Sequence, residues 1–208
     1  ALDRRQRQMC IRDRFFTCKR LISEGMAPMP HIPARIIRNT GELEDWVKEY
    51  SSLGVNQSLL LAGNGKNPKG ELFNSIQMLE TGIFEKHAFK KIQIAGHPEG
   101  NKDIDKDGTL EKTVNALKAK KKFALKTKLK IGITTQFCFD LRPVIEWLKV
   151  LEREQIDLPI SLGLAGPTRL QTLIKYAITC GVGPSISVLK KRAKDLTKLL
   201  LPFEPTEM

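Results

Sequence analysis

Polar side chains that can form several hydrogen bonds follow short apolar segments of this chain, at the points where those segments end. The clearest case is KIGITTQFCFD (Lys130–Asp140), in which the β-branched run Ile131–Thr135 predicts a strand buried on both faces of a parallel sheet. Gln136 and Asp140 come where that strand would end. A glutamine carries a donor and an acceptor on one planar group, which suits the edge of a heterocycle. Taken alone, Gln136 fits a loop contact at a strand end equally well.

The same pattern recurs after four other predicted strands. Carboxyl ends of parallel strands lie at one edge of a sheet, so the residues that follow them would gather into one site. The residues at or directly after the ends of the first, second, third and fifth predicted strands are His31; Gly63 and Asn64; His97, Glu99 and Asn101; and Gly163, Gly166 and Pro167. We therefore predict a binding site at this edge, although glycine and asparagine are also ordinary turn residues.

Strand and helix patterns alternate along the chain. The predicted strands are 26–32, 57–62, 92–95, 131–135 and 159–164, and the predicted helices are 15–24, 41–53, 72–81, 109–127, 141–154, 168–179 and 184–200. This alternation favours a parallel sheet covered by helices, and both a barrel and an open sheet fit it. A (β/α)8 barrel usually needs about 250 residues, whereas this chain has 208. We therefore predict an α/β fold, a (β/α)8 TIM barrel truncated at both ends.

The first fourteen residues differ from the rest of the chain. The string RRQRQMCIRDR (Arg4–Arg14) is identical to the translation of a transposon-end adapter used to prepare shotgun DNA libraries. We therefore predict that residues 1–14 are adapter-derived, non-native and disordered, and that residues 15–208 are a partial TIM-barrel domain. Five arginines and two aspartates of this segment contribute to the formal net charge of +12, so the remainder carries +9.

The remaining positive charge is mostly lysine, concentrated between Lys118 and Lys130. No aromatic side chains are interleaved with these lysines in the manner of a nucleic-acid groove, so the run predicts a solvated helix face without specific nucleic-acid binding. The string Asp103–Gly108, D-x-D-x-D-G, opens like a calcium loop. Val114 stands where the bidentate glutamate of such a loop belongs, and a solvated loop that caps the next helix is the better interpretation.

Cysteine usage and hydropathy restrict the compartment. The four cysteines form no C-x-x-C pair, which argues against a zinc site or a disulfide framework and fits a reducing compartment. No apolar run reaches membrane-spanning length and no signal peptide is evident. We therefore predict a cytoplasmic protein without a metal site or a membrane partner.

Five segments together resemble the methylenetetrahydrofolate reductase family of flavin-dependent barrels. They are PHIPAR (Pro30–Arg35), LLLAGN (Leu59–Asn64), AGHPEGN (Ala95–Asn101), ITTQFCFD (Ile133–Asp140) and GLAGPTRLQTLIKYA (Gly163–Ala177). The resemblance implies that FAD is held at the carboxyl ends of the strands and is reduced by NADH or NADPH. Methylenetetrahydrofolate would then accept a hydride and become methyltetrahydrofolate, a step of one-carbon metabolism and methionine biosynthesis.

The resemblance also assigns individual residues. His31 lies where the family's PHL histidine contacts flavin, Asn64 where the aspartate of RGD stands beside the flavin pyrimidine edge, and His97 where a tyrosine precedes the PE pair. Gln136 matches the glutamine that binds the pterin, and Tyr176 an aromatic residue that holds nicotinamide or folate. Further flavin contacts are assigned to Gly63, Glu99, Asn101 and Lys120, and a further substrate contact to Asp140. The general-acid glutamate of the family belongs to a first strand that this sequence is predicted to lack.

The sequence departs from the family at Ala62 and Asn64, which give AGN in place of RGD. Loss of a carboxylate beside the flavin predicts a higher midpoint potential, because negative charge there opposes the charge on reduced flavin. Two alternatives stay open, a folate-barrel relative that transfers a one-carbon group without flavin, and a flavin- or folate-binding homologue without activity. The expected partners are a folate substrate and a nicotinamide cofactor, and a homo-oligomer is compatible with the sequence.

Overall fold

The computed structural model describes residues 2–63, 67–101 and 103–164, and in addition Thr168–Arg169, Thr172, Ile174 and Pro202–Phe203. The chain divides into two compact units. The first unit is Ala1–Ile94 with Lys122–Gly132, and the second is Ala95–Lys121 with Ile133–Met208. Within the described residues, no helix is both long enough and apolar enough to cross a bilayer.

Five parallel strands form the main sheet. They are β1 (His31–Pro33), β2 (Gln57–Leu61), β3 (Lys91–Gly96), β4 (Lys130–Thr135) and β5 (Ile160–Ser161). Their order in the sheet is β1-β2-β3-β4-β5, and the pairs β1–β2, β2–β3 and β4–β5 are parallel. The amides of Lys130 and Gln136 donate to the carbonyls of Lys90 and Gly96, and this constant sequence offset makes β3 and β4 parallel as well. The predicted α/β fold with a parallel sheet is confirmed.

Six helices accompany these strands in the described residues. They are α1 (Leu2–Ser23), α2 (Thr40–Ser52), α3 (Ser75–Glu80), α4 (Ile83–Lys86), α5 (Glu111–Ala124) and α6 (Leu141–Arg153). The short helix α4 was not predicted; Gly82, with φ +69°, precedes it and redirects the chain after α3. Strand β1 is shorter than predicted, because Pro28 and Pro30 have no amide to donate to a neighbouring strand.

Helix α1 includes the segment for which the sequence predicted disorder. It begins at Leu2 and is continuous to Ser23. Arginine, glutamine and methionine are good helix formers, and no glycine or proline interrupts this part of the chain. The predicted stop at Gly25 is confirmed. Gly25 has φ +79°, and the amide of Met26 donates to the carbonyl of Leu21 across the helix end.

The two predicted C-terminal helices fall mostly outside the described residues. Thr168–Arg169 forms a short strand, β6, which pairs antiparallel with β7 (Pro202–Phe203). The helix prediction for 168–179 is therefore wrong at its first two residues, because they enter a two-stranded pairing. Thr172 and Ile174 are helical.

Both units contain buried apolar side chains. In the first unit, strand and helix residues with less than 2% exposure include Ile32, Leu60, Ile92, Leu43, Tyr50 and Phe84. In the second unit, the buried set includes Ile133, Trp147, Val144, Leu151 and Leu117. Burial of this kind provides the main stabilisation of both units, at about 25 cal/mol per Å² of apolar surface.

Gly96 ends β3 directly against the ring of Trp147. A Cβ atom on Gly96 would lie 2.6 Å from Cγ2 of Ile133 and 3.1 Å from the Trp147 ring. A side chain at this position would collide with a packed interior, so the absence of one lets the indole pack against the strand. His97 is the next residue, so the contact between Gly96 and Trp147 fixes the main chain directly before His97.

Candidate functional site

Two predicted site residues lie at neighbouring strand ends of the second unit. His97 directly follows β3, and Gln136 directly follows β4. The amide of Gln136 donates to the carbonyl of Gly96 over 2.9 Å, which places the two strand ends side by side. Gln136 is half-buried, and its side-chain amide makes no hydrogen bond to the described residues. Its donor and acceptor are therefore available to a ligand.

Lys120 is buried, with 8% of its surface exposed. It lies on the buried face of α5 with Thr113, Val114 and Leu117, and it makes no ion pair or hydrogen bond within the described part of the chain. Burial lowers the pKa of the Lys120 amine to about 8. The prediction of a solvated lysine face is wrong at this residue, because the spacing Leu117 to Lys120 keeps it on the apolar stripe of the helix.

His97 is half-buried close to this amine. Burial, and secondly the positive charge of Lys120, lower the pKa of His97 to about 4. The imidazole is therefore neutral at pH 7, with one nitrogen that donates and one that accepts a hydrogen bond. The pair offers a cation and a neutral hydrogen-bonding ring at the carboxyl end of β3.

The depressed pKa of His97 makes stability depend on pH. Because the folded pKa of about 4 is below the ordinary value of 6.5, the unfolded chain takes up the proton first as pH falls. We expect the free energy of unfolding to decrease between pH 6.5 and pH 4, by at most about 3 kcal/mol. Urea unfolding at a series of pH values measures this slope, which should be flatter in His97→Gln.

His87→Gln is the matched control for that experiment. His87 also lies in a half-buried place, 3.0 Å from the Glu44 carboxylate in the first unit. The control should retain the part of the acid slope that disappears in His97→Gln. An identical slope in the wild type and in His97→Gln would show that His97 does not stay neutral in the folded chain.

Asn101 and Asp140 use their side chains within their own loops. The Oδ1 of Asn101 accepts the amide of Asp103 over 2.9 Å. Asp140 accepts the amide of Arg142 at the start of α6, over 3.0 Å, and pairs with the Arg142 guanidinium over 2.6 Å. These contacts with Arg142 lower the pKa of the Asp140 carboxyl. The predicted flavin and substrate contacts of these two residues would have to be made in addition to these structural ones.

Glu99 and Asp140 lie near a third side chain, the thiol of Cys138. Cys138 is buried, and its pKa is raised first by burial and then by the charges of Glu99 and Asp140. The thiol is therefore protonated at neutral pH, which makes it a poor nucleophile. Its contribution to the site is apolar volume.

The acidic loop before α5 caps that helix. Asp105 is buried and accepts the amides of Lys112 and Thr113 over 2.8 and 3.1 Å. Asp107 accepts both the amide and the hydroxyl of Thr109. The predicted cap is confirmed, whereas the prediction of a solvated loop is wrong at Asp105, because this carboxylate is buried while it accepts the two amides. Among the described residues, no group of three histidine, cysteine or acidic side chains is arranged to hold a metal ion.

In the first unit, Gly63 follows β2 and is held by Arg35. The amide of Arg35 donates to the carbonyl of Ala62 over 3.0 Å, and its Nη1 donates to the carbonyl of Gly63 over 3.3 Å. Gly63 has φ +88°, and a Cβ there would lie 2.8 Å from Cβ of Pro33. Only glycine fits this turn without strain. The sequence predicted no role for Arg35, the last residue of the PHIPAR segment (Pro30–Arg35).

His31 opens β1 instead of following it, and its side chain is exposed. Partial burial of the ring, and secondly the charge of Arg14, lower the pKa of His31. A cavity of about 470 Å³ is lined by His31, Cys18, Asp13 and Arg14 among others. Because Asp13 and Arg14 belong to the segment predicted to be adapter-derived, we assign no function to this cavity.

Four predicted site residues lie outside the described residues, and they are Asn64, Gly166, Pro167 and Tyr176. Sequence reasoning missed Thr135, whose hydroxyl accepts the amide of Gly163 at the end of β4. The only sequence feature that could have indicated this role is the position of Thr135 directly before Gln136. No protein-family model matches this chain.

Proposed function

We propose that this chain belongs to an FAD-dependent reductase that converts methylenetetrahydrofolate to methyltetrahydrofolate with NADH or NADPH. The observation that supports it best is Lys120, a buried amine without an anionic partner in the described residues. A buried ammonium group is unfavourable unless an anion compensates it. A phosphate group of a bound dinucleotide would supply that anion and form a charge-assisted hydrogen bond.

The sheet order supports a (β/α)8 barrel as the complete architecture. Strands β1 to β5 are neighbours in the same order in which they occur in the sequence. In a doubly wound open sheet the strand order reverses at a switch point, whereas successive strands of a (β/α)8 barrel are always neighbours. Five consecutive neighbours without a reversal therefore favour the barrel.

The residues at the second-unit strand ends fit the chemistry of FAD and a folate. FAD, when bound, would supply hydride transfer between the nicotinamide and the folate. Lys120 would bind a phosphate, and neutral His97 would donate or accept a hydrogen bond without adding a second positive charge. Gln136 would bind the pterin edge through its free donor and acceptor. The flavin contacts that the resemblance assigns to His31, Gly63 and Asn64 stay predictions.

The spectrum of a full-length version of the protein tests this function. We expect a yellow protein whose colour bleaches anaerobically with NADH or NADPH and returns when methylenetetrahydrofolate is added. A colourless protein that cannot be reconstituted with FAD would reject the proposal and favour a one-carbon transferase without flavin. A yellow protein that never bleaches would favour a binding homologue without activity.

A further inference from the structure

The peptide of Gln136 is held from the side of β5 by Gly163. The register of β4 and β5 pairs Ile133 with Ile160 and Thr134 with Ser161, so Gln136 comes opposite Gly163 two residues later. The amide of Gly163 donates to Oγ1 of Thr135 over 2.9 Å. This bond ties the loop after β5 to the last residue of β4.

Gly163 lies so close to this peptide that no side chain fits. A Cβ on Gly163 would lie 2.5 Å from the carbonyl oxygen of Thr135, 3.1 Å from the amide nitrogen of Phe137 and 3.3 Å from the carbonyl carbon of Gln136. These atoms belong to backbone, which cannot rotate away as a side-chain tip can. The requirement for glycine here therefore arises from contact with both peptide bonds that flank Gln136.

The opposite side of the same peptide is held by β3. The amide of Gln136 donates to the carbonyl of Gly96 over 2.9 Å, and Gly96 is itself packed against Trp147. Thr135 is buried, with 4% of its surface exposed. The main chain of Gln136 is thus fixed on both sides, whereas its side-chain amide makes no hydrogen bond to the described residues. Because the Gln136 main chain is already fixed, less conformational entropy is lost when its side-chain amide binds a ligand.

We propose that Gly163 and Thr135 are positioning residues for Gln136, which they hold ready to bind a heterocycle that presents a donor beside an acceptor. The identity of that heterocycle as a pterin rests on the proposed function. Neither residue needs to touch the ligand, because each acts on the peptide that carries the glutamine.

Three substitutions test this inference in the flavin-loaded full-length protein. Thr135→Val removes the hydroxyl, Gly163→Ala adds a methyl group against the peptide, and Thr135→Ser restores the hydroxyl. We expect hydrogen exchange of the Gln136 amide, measured by NMR, to accelerate about 10-fold or more in the first two. Folic acid should bind to them about 10- to 100-fold more weakly. Thr135→Ser should stay near the wild type in both measurements, and FAD affinity should be unchanged throughout.

Thr81→Val is the matched control. It also removes a half-buried hydroxyl that bonds backbone, here to Met78 and Ile83 in the first unit. It should change neither Gln136 exchange nor folic acid affinity. Wild-type exchange in both Thr135→Val and Gly163→Ala would overturn the inference, as would accelerated exchange with unchanged folic acid affinity. Wild-type protein that binds no folic acid at all would instead reject the proposed function.

Discussion

Lys120→Met is expected to weaken FAD binding about 10- to 100-fold while it makes the apoprotein more stable. A hydrogen bond between an ammonium group and a phosphate contributes about 1.5 to 3 kcal/mol, which accounts for the loss of affinity. Methionine has a similar length and no charge, so it removes the cost of burying an amine on the apolar face of α5. Titration of flavin fluorescence and urea unfolding of the apoprotein measure the two effects.

The pH dependence of FAD binding is a second test of whether Lys120 binds a phosphate group of FAD. Without ligand the pKa of Lys120 is about 8, and a bound phosphate would favour the protonated amine. FAD affinity should therefore fall as pH rises from 7 to 9.5 in the wild type, and it should vary less in Lys120→Met.

Lys118→Met is the control for both measurements. Lys118 lies on the same helix, is largely exposed and pairs with Glu154, so its loss should leave FAD affinity unchanged. An apoprotein destabilised by Lys120→Met, with FAD affinity intact, would show that Lys120 has only a structural role.

The second large effect is expected for Gln136→Ala. We expect reduction of methylenetetrahydrofolate to slow about 100-fold, since a site that hydrogen-bonds its substrate loses several kcal/mol when the partner is removed. Oxidation of NADH with an artificial electron acceptor should change less than about threefold, because that reaction needs no pterin. Stopped-flow absorbance measures both rates on the same protein preparation.

Gln57→Ala provides the comparison at the amino end of a strand. Gln57 opens β2, and its Nε2 donates to the carbonyl of Ala27. This variant should leave both rates near the wild type. If Gln136→Ala lowered the two rates equally, Gln136 would be maintaining the strand end and would have no particular role toward the folate.

The sheet was predictable because its strands are short, apolar and separated by helical patterns. The run Ile131–Thr135 has no charged side chain that would prevent burial, and β4 (Lys130–Thr135) differs from the prediction by one residue. The length of α1 was not predicted, because an adapter-derived segment is expected to be disordered, whereas the composition of residues 2–14 favours a helix. The start of β1 was predicted too early, because Pro28 and Pro30 have no amide hydrogen to donate and the pairing with β2 begins at His31.

The candidate site was only partly predictable. Gln136 was identified because it directly follows a strand, but its fixation by Gly163 depends on a register between residues distant in sequence. The burial of Lys120 was not predicted, because it lies in a run of similar lysines and the sequence does not show which of them packs against the interior. Asp140 illustrates the opposite error. An acidic residue before a helix with Arg142 two positions later is a readable cap, and it was assigned instead to the substrate.

The division into two compact units has a spectroscopic consequence. The chain has two tryptophans, and they fall one in each unit, Trp46 in the first and Trp147 in the second. Both are buried, with 7% and 0% exposure. Trp46→Phe and Trp147→Phe would therefore each leave a single emitting indole that reports on one unit. Emission from Trp147, which lies against Gly96 next to His97, would also follow events at the candidate site without an added label.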